Sequence, residues 1–358
     1  MTQTSSMPAK RHSYLGLPTG WVTPQSLFRA LEISGLFTFL LALGVVFALS
    51  SGQFLTASNF RAILTTSAVL GIVAIGQTFA IIAGGFDLSV AGVIPLASVL
   101  YAMTSNAGVP TPLAILAMLA LGAVVGLING LVISRVGIDP LIATLAMLSI
   151  TGGFAFTVTN GVSVPFDHDY AGVLADSGPL GLPVHVWLVA GLVIVGVLVL
   201  RYTVFGRMVY ALGGSREASW LAGVRVSGLT TAVYVLCSMM AALAGVVLAS
   251  ELLSGSGNLG TDAALNSVAA VVLGGGSLAG GVGTVWGTAV GVLILGTLAN
   301  GMALLQISSF YQTIATGVVL LLAVAFSRLR AALAPRFYRV TSEFISEDTA
   351  AAVTEEVT

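Results

Sequence analysis

The chain has 358 residues, of which 57% are apolar and 8% are charged, and its mean hydropathy is +1.03. A soluble domain carries about 25% charged residues, so the composition excludes an ordinary water-soluble domain and makes lipid the solvent for most of the chain. The net charge of −1 excludes the strong positive field of a nucleic-acid-binding protein, and the single cysteine, Cys237, excludes an intrachain disulfide.

Ten apolar runs follow one another along the chain, and a membrane-spanning helix needs roughly 20 apolar residues. The runs lie near 33–50, 63–82, 89–105, 113–133, 141–159, 185–202, 229–250, 267–279, 284–304 and 311–328. The first run also has the length of a signal-peptide core, but the long polar arm before it favours an uncleaved span. The eighth run is short for a crossing, which favours a half-helix or a re-entrant segment packed within protein. We therefore predict an all-α polytopic membrane protein with about ten transmembrane helices, some of them short or broken.

The basic residues orient these runs, because Lys and Arg are retained on the cytoplasmic side during membrane insertion. They lie before the first run, between the fourth and fifth, between the sixth and seventh, and after the tenth: Lys10, Arg11, Arg29, Arg135, Arg201, Arg207, Arg216, Arg225, Arg328, Arg330, Arg336 and Arg339. The loop at 160–184 is acidic and has no Lys or Arg. Ten crossings with both termini in the cytoplasm fit this distribution, with only Arg61 on the wrong side. The chain thus divides into a cytoplasmic arm at 1–32, a transmembrane domain at 33–328 and a cytoplasmic, disordered acidic tail at 329–358.

The stretch Gly84-Gly85-Phe86-Asp87-Leu88-Ser89-Val90 interrupts the apolar pattern after the second run. Two glycines break a helix, and Asp87 with Ser89 can cap the next one. A carboxylate near membrane depth costs roughly 2.5–3.5 kcal/mol on insertion scales. Asp87 is therefore interpreted either as a cap for the third span, which we favour, or as a carboxylate of a translocation pathway or its gate.

Four amide side chains lie within or beside apolar runs: Gln77, Asn129, Asn300 and Gln306. Amides in such places could hydrogen-bond a polyol that passes through the protein, or they could bond to one another between helices, which is the commoner use. The candidates for the pathway are Gln77, Asp87, Ser89, Asn129 and Asn300.

Two runs carry glycines at every fourth position, the pattern that lets helix backbones approach closely. They are Gly122, Gly126 and Gly130 in the fourth run, and Gly283, Gly287 and Gly291 in the ninth. Contact between helices of the same chain is the commoner use of this pattern, and a dimer seam is the alternative.

The longest polar stretch inside the apolar pattern is the loop at 201–228, which contains four of the twelve arginines. A short helix is predicted within it, because Ser215 suits an N-cap, Glu217 complements the helix dipole and Gly223 suits a C′ stop. This helix would offer Glu217, Trp220 and Leu221 to a cytosolic partner. The predicted contact set is Ser215, Arg216, Glu217, Ala218, Trp220, Leu221 and Gly223.

Motifs for catalysis and for metal binding are missing from the sequence. Lys10 is the only lysine, so the chain has no GxxxxGK[ST] phosphate-binding loop. We therefore expect no catalytic residues, and if a nucleotide drives this protein, another chain hydrolyses it. Asp167, His168 and Asp169 lack further ligands at a known spacing, which favours an acidic external loop over a metal site.

Four stretches occur in the order found in one known family: GGFDLSVAGVIPLAS at 84–98, GLINGLVISRVGIDPLIATLAML at 126–148, TVFGRMVYALGGSREASWLAGVRV at 203–226 and AAVVLGGGSLAGGVGTVWGTAVGVLI at 269–294. Across roughly 35–328 the chain resembles the sugar-type ABC importer permeases of the ribose/xylose/galactoside class. In two places it departs from that pattern. Ala264 and Asn266 stand where the family has acidic residues, and Ser215 and Ser219 stand where its coupling segment has Asn and Ala.

The resemblance implies a ten-helix permease in the bacterial cytoplasmic (inner) membrane, paired with a second permease copy as a homodimer or heterodimer and surrounded by lipid. It implies a cytoplasmic ABC ATPase that uses ATP and Mg, while the permease itself binds no cofactor. An extracytoplasmic sugar-binding protein would deliver a monosaccharide or related polyol. The segment 215–223 matches the family's coupling segment, which fits a groove on the ATPase.

Two other functions compete with a sugar importer. An ion-coupled secondary transporter would need several ionisable groups at midmembrane, where Asp87 is the only clear candidate. An ABC permease for branched-chain amino acids would need a charged pair along the path to hold a zwitterion, and the sequence offers none. A neutral polyol fits a pathway of amides and hydroxyls better.

Overall fold

The computed structural model describes residues 24–167, 172–322 and 324–325, in which nearly all regular structure is α-helix. The helices are α1 (Pro24–Ser50), α2 (Ala57–Ile82), α3 (Val90–Asn106), α4 (Thr111–Leu131), α5 (Pro140–Thr159), α6 (Val184–Tyr202), α7 (Val204–Gly214), α8 (Arg216–Leu221), α9 (Val226–Leu252), α10 (Ala263–Leu273), α11 (Val285–Leu304) and α12 (Ser309–Leu322). Two short strands, β1 (Val164–Pro165) and β2 (Ser254–Gly255), pair antiparallel. The predicted arm before residue 24, the tail at 329–358 and the pair His168 and Asp169 lie outside the described residues.

Six helices in the described ranges are long and apolar enough to cross a membrane, by length and composition: Ala57–Ile82, Thr111–Val136, Pro140–Thr159, Val184–Tyr202, Val226–Leu252 and Val285–Leu304. Four shorter apolar helices accompany them: Gly35–Ser50, Val90–Asn106, Ala263–Leu273 and Ser309–Leu322. Each coincides with one of the predicted apolar runs. The all-α polytopic class is therefore confirmed, while the number of crossings and the side of the termini stay predictions.

Two segments differ from the sequence-based expectation. α1 begins at Pro24, inside the predicted polar arm, because the fixed φ of proline suits the first turn of a helix. The predicted loop at 201–228 is mostly helical, since α7 precedes the short helix. Phe205, Val209 and Leu212 recur at helical spacing in α7, and its arginine lies on the exposed side.

The centre of the fold is α9, which packs against α2, α3 and α4. The glycine stripe of α4 makes its contact with α9 possible. A side-chain carbon at Gly122, Gly126 or Gly130 would collide with the α9 backbone near Ser238, Tyr234 and Thr231 respectively. This stripe therefore joins two helices of the same chain, as the commoner interpretation predicts.

Two of the three glycines of the second stripe join α11 to the short α10 in the same way, whereas Gly283 precedes the helix and lies against Ile82. A side-chain carbon at Gly287 would overlap the carbonyl group of Gly274, and one at Gly291 would overlap that of Ala270. α10 also packs against α2, and its residues Ala269 and Ala270 are fully buried. The short eighth element is thus an 11-residue helix most of whose residues are buried, although Leu265 is exposed.

The long loop after α5 is tied to the far end of α9 by the strand pair, in which Val164 lies opposite Gly255. The amide nitrogen of Asn106, at the end of α3, donates to the carbonyl oxygen of Pro165 at 2.8 Å. Its amide oxygen accepts the backbone N–H of Asp167 at 3.0 Å. These bonds place the acidic loop, the end of α3 and the end of α9 at one face of the molecule.

Candidate functional site

The short helix α8 has the two ends that the sequence predicts. The hydroxyl oxygen of Ser215 accepts the backbone N–H of Ala218 at 3.2 Å, which satisfies one of the free donors of the first turn. After Leu221 the chain turns at Ala222, and Gly223 adopts φ +82°, a left-handed conformation that favours glycine. Both predicted caps are therefore confirmed.

The outer side of α8 presents a docking patch, which we define as Glu217, Trp220 and Leu221. Trp220 is 67% exposed and Leu221 is 71% exposed, and Glu217 is exposed in the first turn. Arg216 and Ala218 are exposed beside them, whereas Ser219 is buried. Ser219 was not predicted as a support of the helix, and its burial marks the side of α8 that faces the rest of the protein. Large exposed apolar side chains next to a carboxylate suit a protein partner rather than solvent.

α7 directly precedes α8 and packs against α2, α6 and α9. Ser215 ends α7 and caps α8, so no flexible linker separates the two helices. Val209 and Leu212 are buried on the inner side of α7. The Phe205 ring lies 6.2 Å from the Phe79 ring of α2. Sequence reasoning missed α7 as a supporting helix, although its apolar spacing could have indicated it.

Four of the predicted pathway residues come together in one buried polar cluster: Gln77, Asp87, Ser89 and Asn129. The Asp87 carboxylate accepts the N–H of Ser89 at 2.9 Å and also the Ser89 hydroxyl. The amide nitrogen of Asn129 donates to the Ser89 hydroxyl oxygen at 2.9 Å. The N–H of Asp87 donates to the amide oxygen of Gln77 at 3.3 Å. The cluster therefore connects α2, α3 and α4 through side chains that are all but fully buried.

Two residues of α9 complete this cluster, and sequence reasoning did not find them. The Ser238 hydroxyl donates to the other carboxylate oxygen of Asp87 at 3.3 Å, and the Cys237 thiol donates to the amide oxygen of Gln77 at 3.3 Å. The amide nitrogen of Gln77 has no hydrogen-bond partner among the described residues. Side chains from α2, α4 and α9 and from the turn before α3 thus meet in one buried hydrogen-bonded cluster.

The predicted cap on α3 needs a correction. Ser89 is the residue that precedes the helix, and its side chain makes no capping hydrogen bond. Ser89 already has helical backbone angles, so its hydroxyl reaches back to Asp87 instead of forward to the first turn. Asp87 satisfies the Ser89 N–H, which closes the turn before the helix. The carboxylate is thus the group that organises the entry to α3.

The remaining predicted amides lie elsewhere. Asn300 is near the end of α11, beside Gly301, which packs against the Phe47 ring of α1. The amide oxygen of Asn300 is buried and has no hydrogen-bond partner among the described residues. Gln306 follows α11 in a left-handed turn. In the described ranges no group of three or more His, Cys, Asp and Glu side chains could hold a metal ion.

The family model described as "Branched-chain amino acid transport system / permease component" matches residues 59–324. The ribose import permease protein RbsC of Escherichia coli K12 is 39% identical over 298 residues, which cover 82% of this chain and 92% of that protein. RbsC of Bacillus subtilis is 40% identical over 301 residues, covering 83% and 93%. The L-arabinose ABC transporter permease protein AraH of Azospirillum brasilense is 36% identical over 305 residues, covering 85% and 90%. No solved structure gives a significant match.

Proposed function

The chain belongs to the family of branched-chain amino acid transport system permease components, and we propose that it is the membrane subunit of an ATP-driven importer of a monosaccharide or related polyol. One observation carries this proposal. The similarity to the ribose and L-arabinose permeases extends over more than four-fifths of this chain and nine-tenths of each of those proteins. It therefore includes both the membrane helices and the segment with α7 and α8.

The docking patch on α8 is proposed to receive the partner ATPase. α8 is capped at both ends and joined directly to α7, so it is a rigid element with two large apolar side chains in solvent. A rigid aromatic and aliphatic patch loses little conformational entropy when it binds a groove. ATP and Mg would act in the partner, since this chain has no phosphate-binding lysine loop.

The path of α10 supports the proposal of ten crossings. β2, which precedes α10, pairs with the acidic external loop, whereas the turn after α10 lies against α7, beside the cytoplasmic arginines. Helix α10 therefore connects the two faces. Its 11 residues rise only about 16 Å, while the apolar core of a bilayer is about 30 Å thick. In this proposal the non-helical segments on both sides of α10 cover the remaining depth. Gly257 and Gly276 in these segments are buried, and non-helical backbone is tolerated at membrane depth where protein encloses it.

We propose that the buried cluster holds α2, α3, α4 and α9 together in the state described. Gln77 accepts the N–H of Asp87, and Asn129 donates to Ser89, so these hydrogen bonds hold the central helices together. The three side chains Gln77, Asp87 and Asn129 are buried and have no exposed surface for a solute. A transport cycle that reaches these groups must first separate these helices. Asn300 stands apart from the cluster and keeps its place as a candidate for the pathway.

Three further partners belong to the proposal: an extracytoplasmic sugar-binding protein at the face with β1 and β2, a second permease copy, and the lipid of the bacterial inner membrane. Exposed apolar side chains on α5 and α6, such as Phe154 and Ile194, suit contact with lipid or with the second copy. The names of the relatives support the binding protein and the ATPase, because those relatives are import permeases of ABC systems.

The proposal is tested in proteoliposomes that contain the permease with its cognate ATPase and binding protein. ATP-dependent uptake of a labelled pentose or hexose, with no uptake of leucine, is the expected result. Uptake of leucine and of no sugar would contradict the proposed substrate class. Uptake by the permease alone under an imposed proton or sodium gradient would contradict the ATP-driven mechanism and indicate secondary transport.

A further inference from the structure

The C-terminal turn of α7, residues 210–214, touches two separate interruptions in the helical fold. The first is the glycine pair Gly84-Gly85 between α2 and α3, and the second is the turn at 280–283 between α10 and α11. The two interruptions also touch each other, because the N–H of Gly281 donates to the carbonyl oxygen of Ile82 at 2.9 Å. The end of α7, the pair Gly84-Gly85 and the turn at 280–283 are distant in sequence but lie in contact, directly before α8.

Gly213 lies at the centre of this contact. A side-chain carbon there would overlap the carbonyl oxygen of Ile82 and the nitrogen of Gly281, the two atoms that share the hydrogen bond. The obstructing atoms are backbone, so no change of rotamer could make room. Gly214 is its immediate neighbour, and a side-chain carbon there meets nothing within 4 Å. Close packing is therefore specific to Gly213 and is not a general property of this turn.

A second contact ties the same turn to the second interruption. The Tyr210 hydroxyl donates to the carbonyl oxygen of Gly283 at 2.7 Å. Gly283 precedes α11, whose first residue, Val285, is buried. The hydroxyl thus fixes the start of α11 to the same face of α7 that carries Gly213, because residues three positions apart share one face of a helix. Each interruption is held to α7 by a contact with backbone atoms.

We propose that residues 210–214 of α7 are the transmitting element of the importer, with Gly213 and Tyr210 as positioning residues that pass a displacement of α8 to both helix interruptions. This inference rests on the proposed function. α8 and α7 share Ser215 as a boundary, so α7 must follow when a bound ATPase moves α8. Breaks in helices are the places where a chain absorbs changes in backbone angle, whereas close-packed helices move as units. A push on α7 therefore reaches two hinges at once.

The proposal separates two functions along a single cytoplasmic segment. The docking patch would determine how tightly the ATPase binds, and the turn at 210–214 would determine whether ATP hydrolysis is converted into movement of the membrane helices. Variants in the two regions should therefore have different defects. A substitution in the docking patch should weaken the complex with the ATPase. A substitution in the turn at 210–214 should leave the complex intact and lower the amount of solute moved per ATP.

The experiment compares Gly213→Ala, Gly214→Ala and Tyr210→Phe with the wild type in reconstituted complexes of permease, ATPase and binding protein. Membrane level, co-purified ATPase, ATP hydrolysis and labelled-sugar uptake are measured on the same preparations. Gly213→Ala should keep the ATPase and its hydrolysis but lower uptake per ATP by about tenfold or more, while Gly214→Ala should stay within about twofold of the wild type. Tyr210→Phe removes the hydrogen bond to Gly283 and should lower uptake per ATP by about fivefold.

Three results would overturn the inference. One is normal uptake per ATP in both Gly213→Ala and Tyr210→Phe. Another is loss of the ATPase from either variant at normal membrane level, because the turn would then only support the docking patch. The last is an equal defect in Gly214→Ala. If Gly213→Ala does not reach the membrane, Tyr210→Phe alone decides. A wild-type complex that moves no sugar refutes the proposed function instead.

Discussion

Replacing Leu221 in the docking patch should weaken the complex with the ATPase without harming the fold. Leu221 is 71% exposed, so the free permease gains little from burying it. Complete burial of a leucine side chain contributes about 1.5–3 kcal/mol, of which about 1–2 kcal/mol is still available to a docked partner. Leu221→Ala should therefore raise the dissociation constant of the ATPase by about 5–30-fold. Leu221→Asp should have a larger effect, because it also places an unpaired charge in the apolar contact.

The measurement is a titration of purified permease with the ATPase in detergent, followed by uptake in proteoliposomes at equal protein levels. Leu221→Met is the matched control, since it keeps an apolar side chain of similar volume and should bind about as tightly as the wild type. Glu217→Lys should also weaken the complex, because it puts a cation at the positive end of α8. If Leu221→Ala, Leu221→Asp and Glu217→Lys all bind the ATPase as the wild type does, α8 is not the docking element.

Three further predictions address the rest of the molecule. In a background without the native cysteine, a cysteine at Ser215 should react with a membrane-impermeant maleimide only in opened cells, and one at Asp176 should react in intact spheroplasts; the reverse pattern would invert the topology. Gly126→Ala should lower the melting temperature because it separates α4 from the α9 backbone, whereas Gly152→Ala has free space and should not; equal melting temperatures would contradict the packing account. Asp87→Asn keeps an oxygen for the Ser89 N–H, so near-normal uptake is expected, and lost uptake with the ATPase still bound would identify a gating carboxylate.

Features that depend only on residues close to one another in the sequence could be predicted. The caps of α8 depend on Ser215 and Gly223, which act within one helical turn, and both are found in the structure. The glycine stripes also predicted close helix contacts, but not which helices would meet. α7 was missed because arginines on both sides of it made the segment resemble a polar loop, and its inner apolar side chains are few.

The buried cluster shows where such reasoning ends. Asp87 bonds to Ser238, which lies 151 residues further along the chain. A carboxylate in an apolar sequence indicates that a polar partner must exist, since burial without one is costly. Nothing in the sequence indicates that the partner is a serine in α9. The same limit applies to Gly213, because its crowding comes from backbone atoms of Ile82 and Gly281 that no local pattern reveals.

The shortness of α10 has a consequence for the biosynthesis of the protein. An 11-residue helix is too short for the insertion machinery to retain as a span on its own hydrophobicity. Its backbone instead rests on α11, where Gly287 and Gly291 admit the carbonyl groups of Gly274 and Ala270. A nascent chain that ends before α11 therefore offers α10 the surface of α2 but not that of α11. We therefore expect the eighth segment to complete its packing only after the ninth has been made, so that the order of assembly differs from the order of synthesis.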